Sequence, residues 1–205
     1  TAAAHLKSAQ MEEPVELSEE EQWEAILGEY FCQEEERFPG DIKEQWNTLC
    51  RIKGEFLVIK IAGFSRSFQA QRFRELASFL FQEEDLTFYC VPKADKEIVI
   101  LSECPHESVK RFVIRLYHVL ESFGYRDIRM SASDRGQTSE GLETAYLQTE
   151  EVFRYQSFYK QYGGMDYVSM KNQVDAAGRE LKDGFRNLEE KIDARNWKEL
   201  VLGVR

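Results

Sequence analysis

The sequence predicts an α+β fold: an antiparallel sheet with covering helices, and further helices at both ends of the chain. Three observations carry that prediction. The apolar run Phe56 to Ile61 (FLVIKI) is broken only by Lys60, is closed by Ala62-Gly63 and is too short for a helix, so it reads as a strand covered on both faces. Two β-rich runs, Leu86 to Val91 and Glu97 to Leu101, flank the polar tip Pro92-Lys93-Ala94-Asp95-Lys96 and read as an antiparallel hairpin. Apolar stripes at helical spacing separate these runs from each other and from a later strand. At 205 residues and 42% hydrophobic, the chain has enough apolar material for one main domain with extra helices.

Taken in order, residues 1–17 open the chain; Thr1 to Glu16 are small, polar and acidic without a period and read as a flexible lead-in. Ser18 with Glu21 forms a capping box, and Trp23, Ile26, Leu27, Tyr30 and Phe31 follow at helical spacing. Pro39-Gly40 ends that helix, and Asp41 caps a short second one carrying Ile42, Trp46, Leu49 and Cys50. After the central strand, residues Ser65 to Glu84 present Phe73, Leu76, Ala77 and Leu80 as a covering helix, with Phe68 at its head and Phe81 widening the stripe. Beyond the hairpin, Pro105 opens a helix whose stripe is Val109, Phe112, Val113, Leu116, Leu120 and Phe123, ending at Gly124.

A fourth strand spans Asp127 to Ser133. Thr138 or Ser139 then caps a helix facing Leu142, Ala145, Tyr146, Thr149, Val152 and Phe153 inward, with Gly163-Gly164 as its stop and Tyr167 to Met170 as a short edge strand. The first six elements of this series make a split βαββαβ unit, the ferredoxin-like arrangement, whose sheet carries its helices largely on one face. Beyond Asn172 a charged helical tail carries Val174, Ala177, Leu181, Phe185, Leu188, Ile192 and Trp197 at mixed spacings of three and four, the pattern of a dimerising or linker helix.

Composition excludes several functions. A formal charge of −10 and a pI near 5.0 oppose broad contact with nucleic acid, because phosphate binding needs a basic stripe and the cations here are interspersed with acids. Cys32, Cys50, Cys90 and Cys104 are scattered singly and read as reduced thiols in core positions. No signal-peptide pattern is present and no apolar run approaches the roughly 20 residues that span a bilayer, so a cytoplasmic location without membrane contact is expected.

Catalytic patterns are absent from the sequence. His5, His106 and His118 are isolated from one another and from any nucleophile, and no glycine-rich phosphate loop follows a strand. Glu19-Glu20-Glu21, Glu34-Glu35-Glu36 and Glu83-Glu84-Asp85 read as solvated helix faces, since consecutive helical residues diverge and cannot converge on one ion. Two features stand out in the sheet. Lys60 interrupts the central strand, and Arg129, Ser131 and Ser133 alternate with Ile128, Met130 and Ala132 along the fourth. On one sheet face these four residues form either a ligand or interface site for an anion or a partner helix, or a set of groups capped by acids of the flanking helices.

The order of elements, the strand FLVIKIAGF from Phe56, the hairpin VPKADKEIVIL from Val91, the strand IRMSAS from Ile128 and the helix ETAYLQTEEVFRYQSFY from Glu143 resemble the degenerate GGDEF-like domain of AraC-type transcriptional regulators, including two-component response regulators. The similarity covers Glu55 to Met170, and the tail from Leu188 (LEEKIDARNWKEL) resembles the helices leading into the DNA-binding part. Active diguanylate cyclases hold metal with an acidic residue just past the first strand and bind guanine nucleotide on a Gly-Gly-acidic-acidic hairpin tip. Here Ala62-Gly63-Phe64 and Lys93-Ala94-Asp95-Lys96-Glu97 stand in those places, so the carboxylates that two-metal phosphoryl chemistry needs are missing.

The resemblance implies no enzyme, no catalytic residue, no metal and no cofactor. It implies a regulatory relay and dimerisation module with a lead-in at 1–17, N-terminal helices at 18–53, the GGDEF-like domain at 54–171 and a helical linker or dimerisation segment at 172–205. Leu181, Phe185, Leu188, Ile192 and Trp197 are its candidate dimer residues. A homodimer is expected, with DNA contacted only through a helix-turn-helix part outside this chain. A sensor of a nucleotide or small anionic metabolite on the Lys60 and Arg129 face is the second reading; a cyclase-like enzyme, resting on fold analogy alone, is the third.

Overall fold

A computed structural model of the chain describes residues 17–32, 42–63, 70–83, 85–94 and 96–193. Its elements run α1 (Glu19–Cys32), α2 (Ile42–Leu49), β1 (Phe56–Ala62), α3 (Ala70–Glu83), β2 (Phe88–Ala94), β3 (Glu97–Glu103), α4 (Val109–Ser122), β4 (Arg129–Ala132), α5 (Gly141–Phe158), β5 (Gly163–Asp166) and α6 (Tyr167–Asp193). The class is α+β, with one open sheet in the order β2-β3-β1-β4-β5.

β1 lies at the centre, antiparallel to β3 on one side and to β4 on the other, and all seven of its residues are buried. Its period of two divides the molecule into two cores. Leu57, Ile59 and Ile61 join Phe73, Ala77 and Phe81 of α3 and Phe112, Val113, Leu116 and Leu120 of α4. Phe56 and Val58 face the other way, into Trp23, Leu27, Tyr30 and Phe31 of α1, Trp46 of α2, and Leu142, Ala145 and Tyr146 of α5. Each large apolar side chain removed from water in this way contributes about 1.5–3 kcal/mol. Helices therefore cover both faces, as the central strand's apolar run predicts, whereas the ferredoxin-like arrangement put them largely on one. The N-terminal helices and α5 close the second face, and that is why the central strand is apolar on both sides.

The sheet is mixed rather than wholly antiparallel, because β5 adds to β4 in parallel. This edge strand is Gly163–Asp166, and the expected strand Tyr167 to Met170 is instead the first turn of α6. Asp166 makes the change possible: its Oδ1 accepts from Ser169 N at 2.9 Å and caps the helix. Gly163-Gly164 is likewise not a helix stop. α5 ends at Phe158, and the chain turns through Lys160 (φ 52), with Lys160 N donating to Ser157 O at 3.3 Å and Gln161 N to Gln156 O at 2.8 Å. A lysine thus occupies the left-handed position that glycine usually fills in this turn. Gly164 is needed for packing, since a Cβ there would lie 2.8 Å from Val113 Cγ1 and 2.9 Å from Val113 O.

The helix caps divide between expectation and correction. Ser18 N donates to Glu21 Oε2 at 2.9 Å and Glu21 N to Ser18 Oγ at 3.3 Å, the reciprocal pair the sequence predicts. Gly124 (φ 85) ends α4 as expected. α4 starts at Val109 under Ser108, whose Oγ accepts from Arg111 N, rather than at Pro105. α5 is led by Glu140 without a side-chain cap, rather than by Thr138 or Ser139. The hairpin strands reach through Pro92, with a register irregularity between Pro92 and Ala94. Cys50 and Cys90 are buried, Cys104 is half-buried and Cys32 is exposed, so the core reading fails for Cys32, near the end of α1. Residues 1–16, Pro39-Gly40, Asp41 and Phe68 lie outside the described residues.

Candidate functional site

The polar residues singled out in the sheet do share one face, the one beneath α5. Lys60 on β1 pairs in register with Ser131 on β4, and Arg129 with Ala62. Lys60 is 4% exposed, and its Nζ lies 2.6 Å from Glu150 Oε1 of α5 and 2.9 Å from Glu97 Oε1 at the start of β3. Lys93, on the other arm of the hairpin, stands 3.6 Å from the same two carboxylates, and its Nζ donates to Tyr146 OH. The Phe153 ring closes the top of the network, 4.5 Å from Lys60 Nζ. Two ammonium and two carboxylate groups balance one another, which lets such a cluster exist away from water.

Electrostatics follow from that arrangement. Burial alone would raise the Glu150 carboxyl, yet the hydrogen bond and charge of Lys60, with Tyr146 and Lys93 behind them, hold it below the usual glutamate value. The Tyr146 phenol moves far up, first through burial and then through the charge of Glu150, so it stays a neutral donor. It also reaches Phe31 O at 3.4 Å and thereby ties α5 to α1.

Ser133 Oγ donates to Asp134 O at 2.7 Å and accepts from Val58 N at 3.0 Å, and Ser131 Oγ lies 3.5 Å from Lys60 O. Both serines are therefore occupied by the sheet itself. Arg129 differs from its neighbours. Its guanidinium sits 5.8 Å from the Phe153 ring and 5.1 Å from the Tyr162 ring, and among the described residues no carboxylate pairs with it.

The remaining candidates are scattered. His106 and His118 are exposed, with His118 Nδ1 3.4 Å from Glu121, and His5 lies outside the described residues. Glu19, Glu20 and Glu21 are exposed, as a solvated helix face requires, whereas Glu34-Glu35-Glu36 and Glu84 are outside the described residues. Among the described residues no group of three or more His, Cys, Asp or Glu gathers as metal ligands. At the end of β1, Gly63 (φ 92) has its position filled by backbone: a Cβ there would stand 2.9 Å from Asp127 O.

The second feature is α6. It starts without a loop at the end of β5, and Tyr155 OH of α5 donates to Gln173 Oε1 at 3.0 Å. Among the described residues Met170 is the last deeply buried one. Beyond it Val174 is 44%, Leu181 63% and Phe185 60% exposed, on a helix of 27 residues, about 40 Å long. Leu188 and Ile192 continue the spacing on helical backbone, and Trp197 lies outside the described residues. The expected boundary between residues 171 and 172 falls within this helix.

Sequence reasoning found Lys60 and offered acids of the flanking helices as its caps, but it named neither Glu150 and Glu97 as the partners nor Lys93 and Tyr146 beside them. Glu150 was visible in principle: it falls between Tyr146 and Phe153 at spacings of four and three, so a glutamate stands inside an apolar stripe and calls for a buried cation. No protein-family model, curated protein or solved structure matches this chain.

Proposed function

We propose that this chain is a non-catalytic relay and dimerisation module of a bacterial AraC-type transcription regulator, related to the degenerate GGDEF-like domains, acting in the cytoplasm within a longer protein whose helix-turn-helix part contacts DNA. The strand order β2-β3-β1-β4 and the βαββαβ sequence of elements support the ferredoxin-like part of this reading. Its non-catalytic character is supported by Ala62-Gly63 in place of a metal-binding acid and by Glu97, whose carboxylate is engaged with Lys60. Among the described residues no helix is long and apolar enough to cross a membrane.

The observation that carries the proposal is the outward stripe of α6. In proteins most helical stability comes from packing of an apolar face rather than from propensity, and this helix includes Gly178 and Gly184, each costing about 1 kcal/mol relative to alanine. Val174, Ala177 and Leu181 recur eleven residues on as Phe185, Leu188 and Ile192. An eleven-residue period keeps one apolar seam aligned along a partner helix. The acids and bases flanking the seam are mixed in sign (Asp175, Arg179, Glu180, Lys182, Asp183, Arg186), so two copies meet without the repulsion that a uniformly acidic helix would produce. A dimer through α6 would hold two DNA-binding parts at a fixed separation, as operator symmetry requires.

Light scattering coupled to size exclusion tests this with the purified chain and a Leu181→Glu/Phe185→Glu variant. The expected result is a dimer for the parent and a folded monomer for the variant, whose thermal midpoint is lower and no longer depends on protein concentration. A parent chain that stays monomeric at all concentrations, or a variant that remains dimeric, overturns the role of α6.

A further inference from the structure

The cations under α5 are not equivalent, and the difference points to a binding site independent of the dimer reading. Lys60 and Lys93 are neutralised by Glu97 and Glu150, but among the described residues the charge of Arg129 meets two aromatic rings and no carboxylate. Its Nε is enclosed without a hydrogen-bond partner. Among the described residues neither Nη group makes a hydrogen bond, and neither is fully enclosed as Nε is. Across β1 its register partner is Ala62, which offers one carbon and no acceptor.

A guanidinium presents donors in a flat fork that matches two oxygens of a phosphate or carboxylate, and one already held by ring stacking loses little freedom when it takes an anion. We propose that Arg129 is the anchor of an oxyanion-binding site, taking the phosphate or carboxylate group of a small molecule on its Nη edge, with Phe153 and Tyr162 fixing the plane of the guanidinium. Tyr162 is 57% exposed, so ligand has access from that side. It also directly precedes β5, whose four residues run into α6, so an anion that reorders Tyr162 acts at the root of that helix.

The site is tested on the purified chain by titrating inorganic phosphate or acetate at ionic strength matched with potassium chloride, following the Arg129 Nε–H resonance by NMR and the thermal midpoint in parallel. Saturable movement of that resonance with phosphate alone assigns the site to phosphate groups, and movement with acetate alone assigns it to carboxylates. Arg129→Lys keeps the charge without the fork and is expected to weaken binding roughly tenfold, the equivalent of one lost charge-assisted hydrogen bond. Arg129→Gln is expected to abolish it. The proposal is overturned if neither anion moves the parent resonance beyond the chloride control, as when the free donors merely hold water, or if Arg129→Gln binds as tightly as the parent. Should the variants fail to fold, the parent resonance still decides the outcome.

Discussion

Replacing Lys60 with methionine is the sharpest perturbation of the interior. The variant keeps the length and the packing on Phe153 but leaves Glu150 and Glu97 facing each other's charge, their side chains only 22% exposed. Removing one member of a buried ion pair costs about 3–5 kcal/mol, because the partner remains desolvated and uncompensated. Lys93 stays 3.6 Å from both carboxylates and recovers part of that compensation, which puts the expected loss at about 3 kcal/mol, the lower end of the same range. Urea unfolding at neutral pH measures it. In Glu150→Gln, Lys60 keeps Glu97 at 2.9 Å, so the loss is smaller, and Lys60→Met/Glu150→Gln is expected to lose less than the two single variants together.

The pH dependence gives the same experiment a sign. In the parent, Glu150 is held below its ordinary value, so its contribution is present above the unfolded-state pKa and is lost as the pH falls through the folded one. Without Lys60 the burial that opposes ionisation is no longer outweighed, the folded-state pKa rises above the unfolded one, and acidification stabilises the variant at this site. The gap between parent and Lys60→Met is therefore widest near neutrality and narrows toward pH 4. A Lys60→Met protein as stable as the parent, or a gap that widens with acid, refutes the assignment of Lys60 as the counter-ion of this face.

Two further expectations follow from packing. Gly164→Ala drives a Cβ into Val113 and should cost about 1–3 kcal/mol in urea unfolding, as overpacked sites do; no loss would mean that β5 is not seated on α4 in solution. A thiol reagent should modify exposed Cys32 rapidly in the folded chain, whereas Cys104, whose thiol burial pushes up to about 12, and buried Cys50 and Cys90 should react only on unfolding. Mass spectrometry of the modified peptides distinguishes the two classes, and early modification of Cys50 or Cys90 would contradict the packing of the two cores.

What the sequence disclosed and what it hid separate along physical lines. β1 was readable because a strand buried on both faces has no polar alternation to confuse with anything else, and the Ser18 and Glu21 box was readable because both of its partners lie within one turn. Gly163-Gly164 misled because glycine marks two different demands, a left-handed turn and a close approach. Here Lys160 makes the turn, and the glycines belong to an edge strand pressed on Val113. The second layer of helices was hidden because local patterning says which face of a helix is apolar but not which face of the sheet receives it. The site divides the same way: Lys60 announced itself as a charge in an apolar run, while its partners are 37 and 90 residues away and meet it only through the hairpin and α5.

On the relay reading proposed above, that closed network bears on how a signal would cross the domain. The face under α5 is bound together by Lys60, Glu150, Glu97 and Tyr146, and Tyr146 extends the connection to the backbone of α1. Separating α5 from the sheet would part the Glu150 carboxylate from both Lys60 and Lys93 and break the Lys93–Tyr146 bond at once, a cost of several kcal/mol that makes gradual opening unfavourable. The β4–β5 side lacks such a lock: it joins α5 through Gln156, whose Nε2 donates to Gly163 O at 3.0 Å, and it feeds directly into α6. A two-state relay needs one rigid part and one part with two affordable packings. In a relay of that kind the ion-pair network would supply the first, and Arg129, Tyr162 and the β5-to-α6 junction are where the second is to be sought.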